Sequence, residues 1–160
     1  MMNSTETGYQ LAIGFDPGRD KCGIARVILP DGANPPQPPK TPMTELRIDQ
    51  MSVVESSAAI AHVLRQCQEF PITTVVIGDG TSSKYWRQQL QAGLPETVTL
   101  VTVDEYNSTQ EARDRYWVLY PPRGIACLIP AKLRSIPHPI DDIVAVILVE
   151  RWFAIQSPKP

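Results

Sequence analysis

The sequence lacks several features that would assign it to a class at once. No apolar run is long enough to cross a bilayer, and the polar residues 1–8 contain no signal-peptide core. We therefore expect no membrane partner. The three cysteines, Cys22, Cys67 and Cys127, lie far apart and have no metal-ligand spacing, so a reducing, cytoplasmic setting is expected. The formal net charge of -2 excludes the strongly basic character of a nucleic-acid coat protein. Any nucleic-acid site must therefore be a local patch.

Proline, by contrast, is abundant, with 16 residues, and many of these cluster between positions 30 and 42. This segment can form neither a helix nor a central strand, so we interpret it as an extended, partly polyproline-II surface insertion. An SH3-type ligand is the less common alternative. The length of 160 residues fits one domain. We predict that this domain spans 9–156, between disordered tails at 1–8 and 157–160.

The spacing of apolar residues predicts a β-hairpin followed by alternating helices and strands. The expected helices cover 52–70, about 81–91, 110–119 and a segment from about 141. The expected strands lie near 10–15, 23–29, 43–48, 72–77 and 98–103. This order predicts an α/β fold, with a five-stranded mixed sheet flanked by helices on both faces.

Three acidic residues occupy comparable positions in this scheme. Asp16 ends the first strand, Glu105 follows the last strand, and Asp141 begins the last helix. The functional crevice of an open α/β sheet lies at the carboxyl ends of its strands, where these acids could converge. Converging carboxylates repel one another unless a cation neutralises them, and hard oxygen ligands suit Mg²⁺ or Mn²⁺. Such a site can hydrolyse phosphodiesters.

Each of these acids also has a simpler explanation or a competitor. Taken alone, the segment around Asp16 is explained at least as well as an ordinary β-hairpin with an aspartate in its turn. Asp79 follows a central strand and could be a fourth acid, although a turn role between two glycines is the more common one. Asp104 and Asp142 adjoin two of the chosen acids, but neighbouring side chains point in different directions, so one of each pair should dominate.

Three motifs occur in order along these elements. They are Gly14-Phe15-Asp16-Pro17-Gly18 with Gly23-Ile24-Ala25, Asp104-Glu105 with Ser108-Thr109 and Glu111-Ala112, and Ile140-Asp141-Asp142 before Ala145-Val146-Ile147-Leu148. From about Leu11 to Phe153, outside the proline-rich insertion, the chain thereby resembles the YqgF family of RuvC-like nucleases. Tyr106 replaces an arginine usual in that family. The loop from Gly78 to Lys84 is closer to the YqgF-like domain of the transcription factor Tex.

The resemblance implies an RNase H-like fold and a catalytic, metal-binding role for Asp16, Glu105 and Asp141. It implies Mg²⁺ or Mn²⁺ as the cofactor and Holliday junction DNA or pre-16S rRNA as the substrate. Asp16 is expected to bridge two ions, because its strand should lie at the sheet centre. Cutting a symmetric junction would require a homodimer, because two strands must be cut.

Two stretches of basic residues could follow a phosphate backbone, although solvated helix faces explain them equally well. One lies in the acid-free segment 80–95, and the other extends from 113 to 134. The predicted contacts to branched DNA or structured RNA are Lys21, Lys84, Arg87, Arg113, Arg123, Lys132 and Arg134.

Two other classes of protein are alternatives to the nuclease. An actin-like ATPase or sugar kinase also begins with a strand, an acid and a glycine turn, but it needs a second lobe for which 160 residues leave no room. A non-catalytic RNase H-like module, binding nucleic acid or regulating a partner, is the second alternative. The presence of all three acids argues against it without excluding it. A metal-dependent thermal shift that Asp16→Asn abolishes would favour the nuclease.

Overall fold

The computed structural model describes residues 10–29 and 46–156. The predicted tails, the proline-rich insertion and the start of the predicted third strand lie outside the described residues. Within the described ranges the elements are β1 (Gln10–Asp16), β2 (Lys21–Leu29), β3 (Arg47–Glu55), α1 (Ser56–Glu69), β4 (Ile72–Gly78), α2 (Ser83–Gly93), β5 (Thr99–Val103), α3 (Ser108–Leu119) and α4 (Asp141–Gln156). Two short 3₁₀ helices, Gly124–Leu128 and Ala131–Leu133, lie between α3 and α4.

The strands form one mixed sheet in the order β3-β2-β1-β4-β5. β2 is antiparallel to both β1 and β3, whereas β1, β4 and β5 are parallel. The first strand therefore lies at the centre, and its carboxyl end shares one edge of the sheet with those of β4 and β5. The α/β fold with a five-stranded mixed sheet, predicted from the sequence, is confirmed.

The third strand is longer than predicted, and the first helix begins later. β3 continues to Glu55, which pairs with Lys21 of β2, so the helix expected from residue 52 begins at Ser56. This strand is at the edge of the sheet, and its consecutive residues Val53 and Val54 are both half-buried. A half-buried edge strand has little apolar alternation, so its hydrogen bonds to β2, distant in sequence, determine the conformation.

The sheet separates two apolar cores. Ile13 and Phe15 of β1 face α1 and α2, where they belong to one cluster with Val63 and Leu90. Ala12 of β1 belongs to the other cluster, with residues of α3 and α4. Alternate residues of the central strand thus serve opposite faces, as strand geometry requires. α4 is buried from Ile143 to Val149. No helix among the described residues is long and apolar enough to span a membrane.

Candidate active site

Asp16 is the last residue of the central strand, and the turn that follows it is anchored to α1. The hydroxyl of Ser56 donates a hydrogen bond to the carbonyl of Gly18 at 3.0 Å. The backbone N–H of Ser56 donates to the carbonyl of Asp20 at 2.9 Å. These bonds hold both sides of the turn, so the half-buried Asp16 carboxyl is kept at the end of its strand.

Asp141 reaches the same edge of the sheet because α4 packs directly on the β1–β2 hairpin. Gly23 is the residue opposite Asp16 in the antiparallel ladder. A methyl group at Gly23 would overlap the backbone carbonyl of Asp141, so only glycine allows this approach. The first residue of α4 is thereby placed beside the end of the central strand.

Glu105 follows β5, and its side chain lies against the loop that follows β4. A methyl group added to Gly78 or to Gly80 would collide with the Glu105 carboxylate. Between these glycines, Asp79 accepts a hydrogen bond at its Oδ1 from the backbone N–H of Glu105, at 3.1 Å. The loop that contains Gly78 and Gly80 thus receives one of the candidate acids.

Arg151 of α4 holds the backbone on both sides of Glu105. Its guanidinium donates to the carbonyl of Asp104 at 2.7 Å and to the carbonyl of Tyr106 at 2.9 Å. It also forms an ion pair with Glu111 at 2.7 Å. Sequence reasoning missed Arg151, because no local motif links it to an acid 46 positions earlier.

The charges of Asp141 and Glu105 act on the Asp16 carboxyl. Burial raises the pKa of Asp16 to about 7, and the negative charges of Asp141 and Glu105 contribute to this shift. The ion pairs found in residues 10–29 and 46–156 involve other acids, and none includes Asp16, Glu105 or Asp141. The carboxylates therefore approach one another without an ion-paired basic side chain in the described part of the chain. A set of oxygen ligands of this kind fits a hard divalent cation.

The three carboxylates do not form a complete set of metal ligands without some movement of their side chains. Within the described ranges, no three His, Cys, Asp or Glu side chains are close enough together to hold an ion. Asp16 and Glu105 line a groove of about 430 Å³ that Asp141 does not line. A bound cation would thus have to draw the side chains closer together.

The neighbouring acids have other contacts. Asp142 lines a separate hollow with Tyr120 and His138, and its Oδ1 accepts a hydrogen bond from the Ile143 N–H. Asp104 accepts a bond from the Tyr106 N–H at 2.8 Å. Asp142 and Asp104 thus have local partners of their own, and the choice of Asp141 and Glu105 over them stays a prediction.

Two of the basic residues predicted to contact nucleic acid lie along a path from the acids. Arg113 of α3 lines the groove that contains Asp16 and Glu105. Together with Gln110, it also lines a second hollow of about 510 Å³, which includes Trp117 and Lys132. The two hollows share Gln110 and Arg113, so they lie side by side along α3.

The other predicted basic contacts are dispersed. Lys84 and Arg87 of α2 line a third hollow, and α2 packs on the opposite face of the sheet from α3. Lys21 and Arg123 are exposed, at the start of β2 and before the first 3₁₀ helix. The Nε of Arg134 donates to the carbonyls of Ala126 and Ile129, and its guanidinium lies over the ring of Trp117. Arg134 therefore also has a local structural role.

The fold defines an RNase H-like α/β domain. Among solved structures, RuvC of Thermus thermophilus is similar, with a TM-score of 0.53 and 16% sequence identity, and the match covers 92% of this chain and 96% of that one. No protein-family model and no curated protein matches the chain. At this identity the likeness shows a RuvC-like fold. It does not distinguish the YqgF family from other proteins that share the fold.

Proposed function

We propose that the protein is a metal-dependent endonuclease that hydrolyses phosphodiester bonds in branched DNA or structured RNA. The observation that carries this proposal is the approach of three acids, distant in sequence, at the carboxyl edge of the central strand. None of them is in an ion pair within the described residues. The RuvC-like fold supports the same class of activity.

Asp16, Glu105 and Asp141 would hold one or two Mg²⁺ or Mn²⁺ ions. When bound, the metal would stabilise the charge that develops on the phosphate and would activate water. The protein's own contribution is to fix the acids on three different elements and to keep basic groups out of ion pairs with them. Arg113, which shares the groove with Asp16 and Glu105, is suited to bind a phosphate next to the one that is cleaved.

The two adjoining hollows along α3 support a path for the substrate backbone. From the acids, one nucleic-acid strand would pass Gln110 and Arg113 and reach Lys132 beside Trp117. Lys84 and Arg87 lie on the other face of the sheet, so a single nucleic-acid strand could not contact both basic stretches along one path. Binding should therefore depend more on Arg113 and Lys132 than on the two α2 residues.

Cleavage assays with matched variants test the function. The full chain is incubated with a four-way DNA junction and with a structured rRNA precursor, with Mg²⁺, with Mn²⁺ or with EDTA. We expect metal-dependent cleavage by the wild type and a loss of at least about 100-fold in Asp16→Asn and Asp141→Asn. Asp142→Asn is the matched control, which should retain most activity. Metal-dependent cleavage that survives in both Asp16→Asn and Asp141→Asn would refute the proposal.

A non-catalytic RNase H-like binding or regulatory module is the second candidate function. It is favoured by one observation, namely that no three potential ligands in the described residues are already close enough to hold an ion. The two candidates differ in metal dependence. The module would bind nucleic acid equally well in Mg²⁺ and in EDTA, and Asp16→Asn would not change its affinity.

The family, the substrate, the oligomeric state and the cellular compartment are also parts of this proposal. The motifs resemble the YqgF family, so Holliday junction DNA and pre-16S rRNA are the first substrates to test. Resolution of a symmetric junction would require a homodimer, because two strands must be cut, and the solution mass would reveal it. The three cysteines are unpaired, which agrees with a role in the cytoplasm.

A further inference from the structure

We infer that Asp79 is a positioning residue for Glu105, which acts through the main chain and is not a fourth metal ligand. The effect on catalysis rests on the proposed nuclease function. The contact itself does not, and it can be tested separately.

The loop after β4 fits Glu105 in two independent ways. The Oδ1 atom of Asp79 accepts the backbone N–H of Glu105, at 3.1 Å. The carboxylate of Glu105 lies in space that a β carbon at Gly78 or Gly80 would fill. One loop thus contacts both the backbone and the side chain of the acid.

Three backbone carbonyls around Glu105 also have partners. The carbonyl of Glu105 accepts the N–H of Ser108 at 3.0 Å, at the start of α3. Arg151 binds the carbonyls of Asp104 and Tyr106. Because these bonds come from the β4–α2 loop, α3 and α4, the peptide that carries Glu105 is fixed from three directions. Asp79 provides the bond from the loop.

The inferred role needs an acceptor oxygen at Asp79 but no negative charge. An asparagine has an Oδ1 in the same position, so Asp79→Asn can keep the bond to Glu105. A metal ligand behaves differently, because loss of the charge weakens its bond to a divalent cation. Asp79→Asn therefore distinguishes the two roles, whereas Asp79→Ala removes both the acceptor oxygen and the charge.

The experiment measures Mn²⁺ affinity by calorimetry and amide hydrogen exchange at Glu105 in the wild type and three variants. In Asp79→Ala we expect Mn²⁺ affinity to fall by roughly 10- to 100-fold, the usual effect of losing a group that orients a metal ligand. The Glu105 amide should also exchange faster. In Asp79→Asn, affinity should stay within about twofold of the wild type, and the amide should stay protected. Asp20→Ala, which removes an exposed carboxylate from the β1–β2 turn, is the matched control.

Two results would overturn the inference. Equal losses of Mn²⁺ affinity in Asp79→Asn and Asp79→Ala would identify a ligand, whereas wild-type affinity and protection in Asp79→Ala would show that the contact has no effect. Gly80→Ala provides a second route, because its methyl group should displace the Glu105 carboxylate and weaken Mn²⁺ binding although Asp79 is intact. If the wild type neither binds Mn²⁺ nor cleaves nucleic acid, the proposed function fails, and amide exchange still decides whether Asp79 holds Glu105.

Discussion

Replacing Asp16 with Asn should stabilise the metal-free fold at neutral and alkaline pH. Burial, together with the charges of Asp141 and Glu105, raises the pKa of Asp16 from its ordinary 3.8 to about 7. The folded state thus holds this proton more tightly than the unfolded state. Between these two pKa values, the free energy of unfolding falls as pH rises, by up to ~1.4 kcal/mol per pH unit. Above pH 7 the full penalty is present, and below the unfolded pKa it is absent.

The shift from 3.8 to about 7 corresponds to an upper limit of ~4 kcal/mol. Relaxation of the side chains and access of water reduce this, so we expect Asp16→Asn to gain about 2 kcal/mol or more at pH ~8. At pH ~4 the gain should fall to about 0.5 kcal/mol, because the folded wild type then carries the proton and the unfolded state, close to its pKa of 3.8, carries it nearly half of the time. The asparagine keeps the shape of the side chain and has no charge to desolvate.

Urea denaturation in EDTA, across this pH range, measures the effect. Asp20→Asn is the control, because it removes an exposed acid from the adjoining turn and should not stabilise the protein. Added Mn²⁺ should stabilise the wild type and leave Asp16→Asn largely unchanged. If Asp16→Asn were no more stable than the wild type at pH ~8, or if its gain were the same at pH ~4, the reasoning from charge repulsion and burial would be refuted.

Three further predictions concern packing and charge. Gly23→Ala should lower the free energy of unfolding by about 2 kcal/mol, because its methyl group meets the start of α4, and unchanged stability in urea would contradict that close contact. Arg26 is buried and paired with Asp49, whose side chain is 35% exposed, so Asp49→Ala should destabilise by about 3 kcal/mol and Arg26→Met by less. The reverse order in thermal denaturation would be inconsistent with the buried cation. Arg113→Gln should reduce the slope of log affinity against log salt by about 1, whereas Lys84→Gln should leave it unchanged.

The sequence predicted the centre of the fold better than its edge. The central strand is recognisable because its residues are buried on both faces, so the apolar run from Leu11 to Phe15 needs no context. At the edge, β3 is half exposed, and the helical spacing that begins at Val54 extended the predicted helix backward into the strand. Pairing with β2 determines that these residues form a strand, and a local sequence pattern carries no information on such pairing.

The candidate site was predictable in part for a similar reason. Strand ends and a helix start can be located in a sequence, so Asp16, Glu105 and Asp141 could be proposed for one edge of the sheet. The groups that fix them act across long separations. The hydrogen bond that Asp79 accepts from the Glu105 N–H and those that Arg151 donates join different elements, and only the folded arrangement brings these groups together. The separation of the basic residues onto two faces likewise depends on which core each helix joins.

The most direct test of the account is the position of a bound ion. Crystals grown with Mn²⁺ would be measured near the manganese absorption edge, for the wild type and for Asp16→Asn. We predict one or two anomalous peaks in the wild type, about 2–2.5 Å from carboxylate oxygens of Asp16, Glu105 and Asp141, and none there in the variant. A peak that contacts none of these acids, or the same peak in Asp16→Asn, would contradict the proposed metal site.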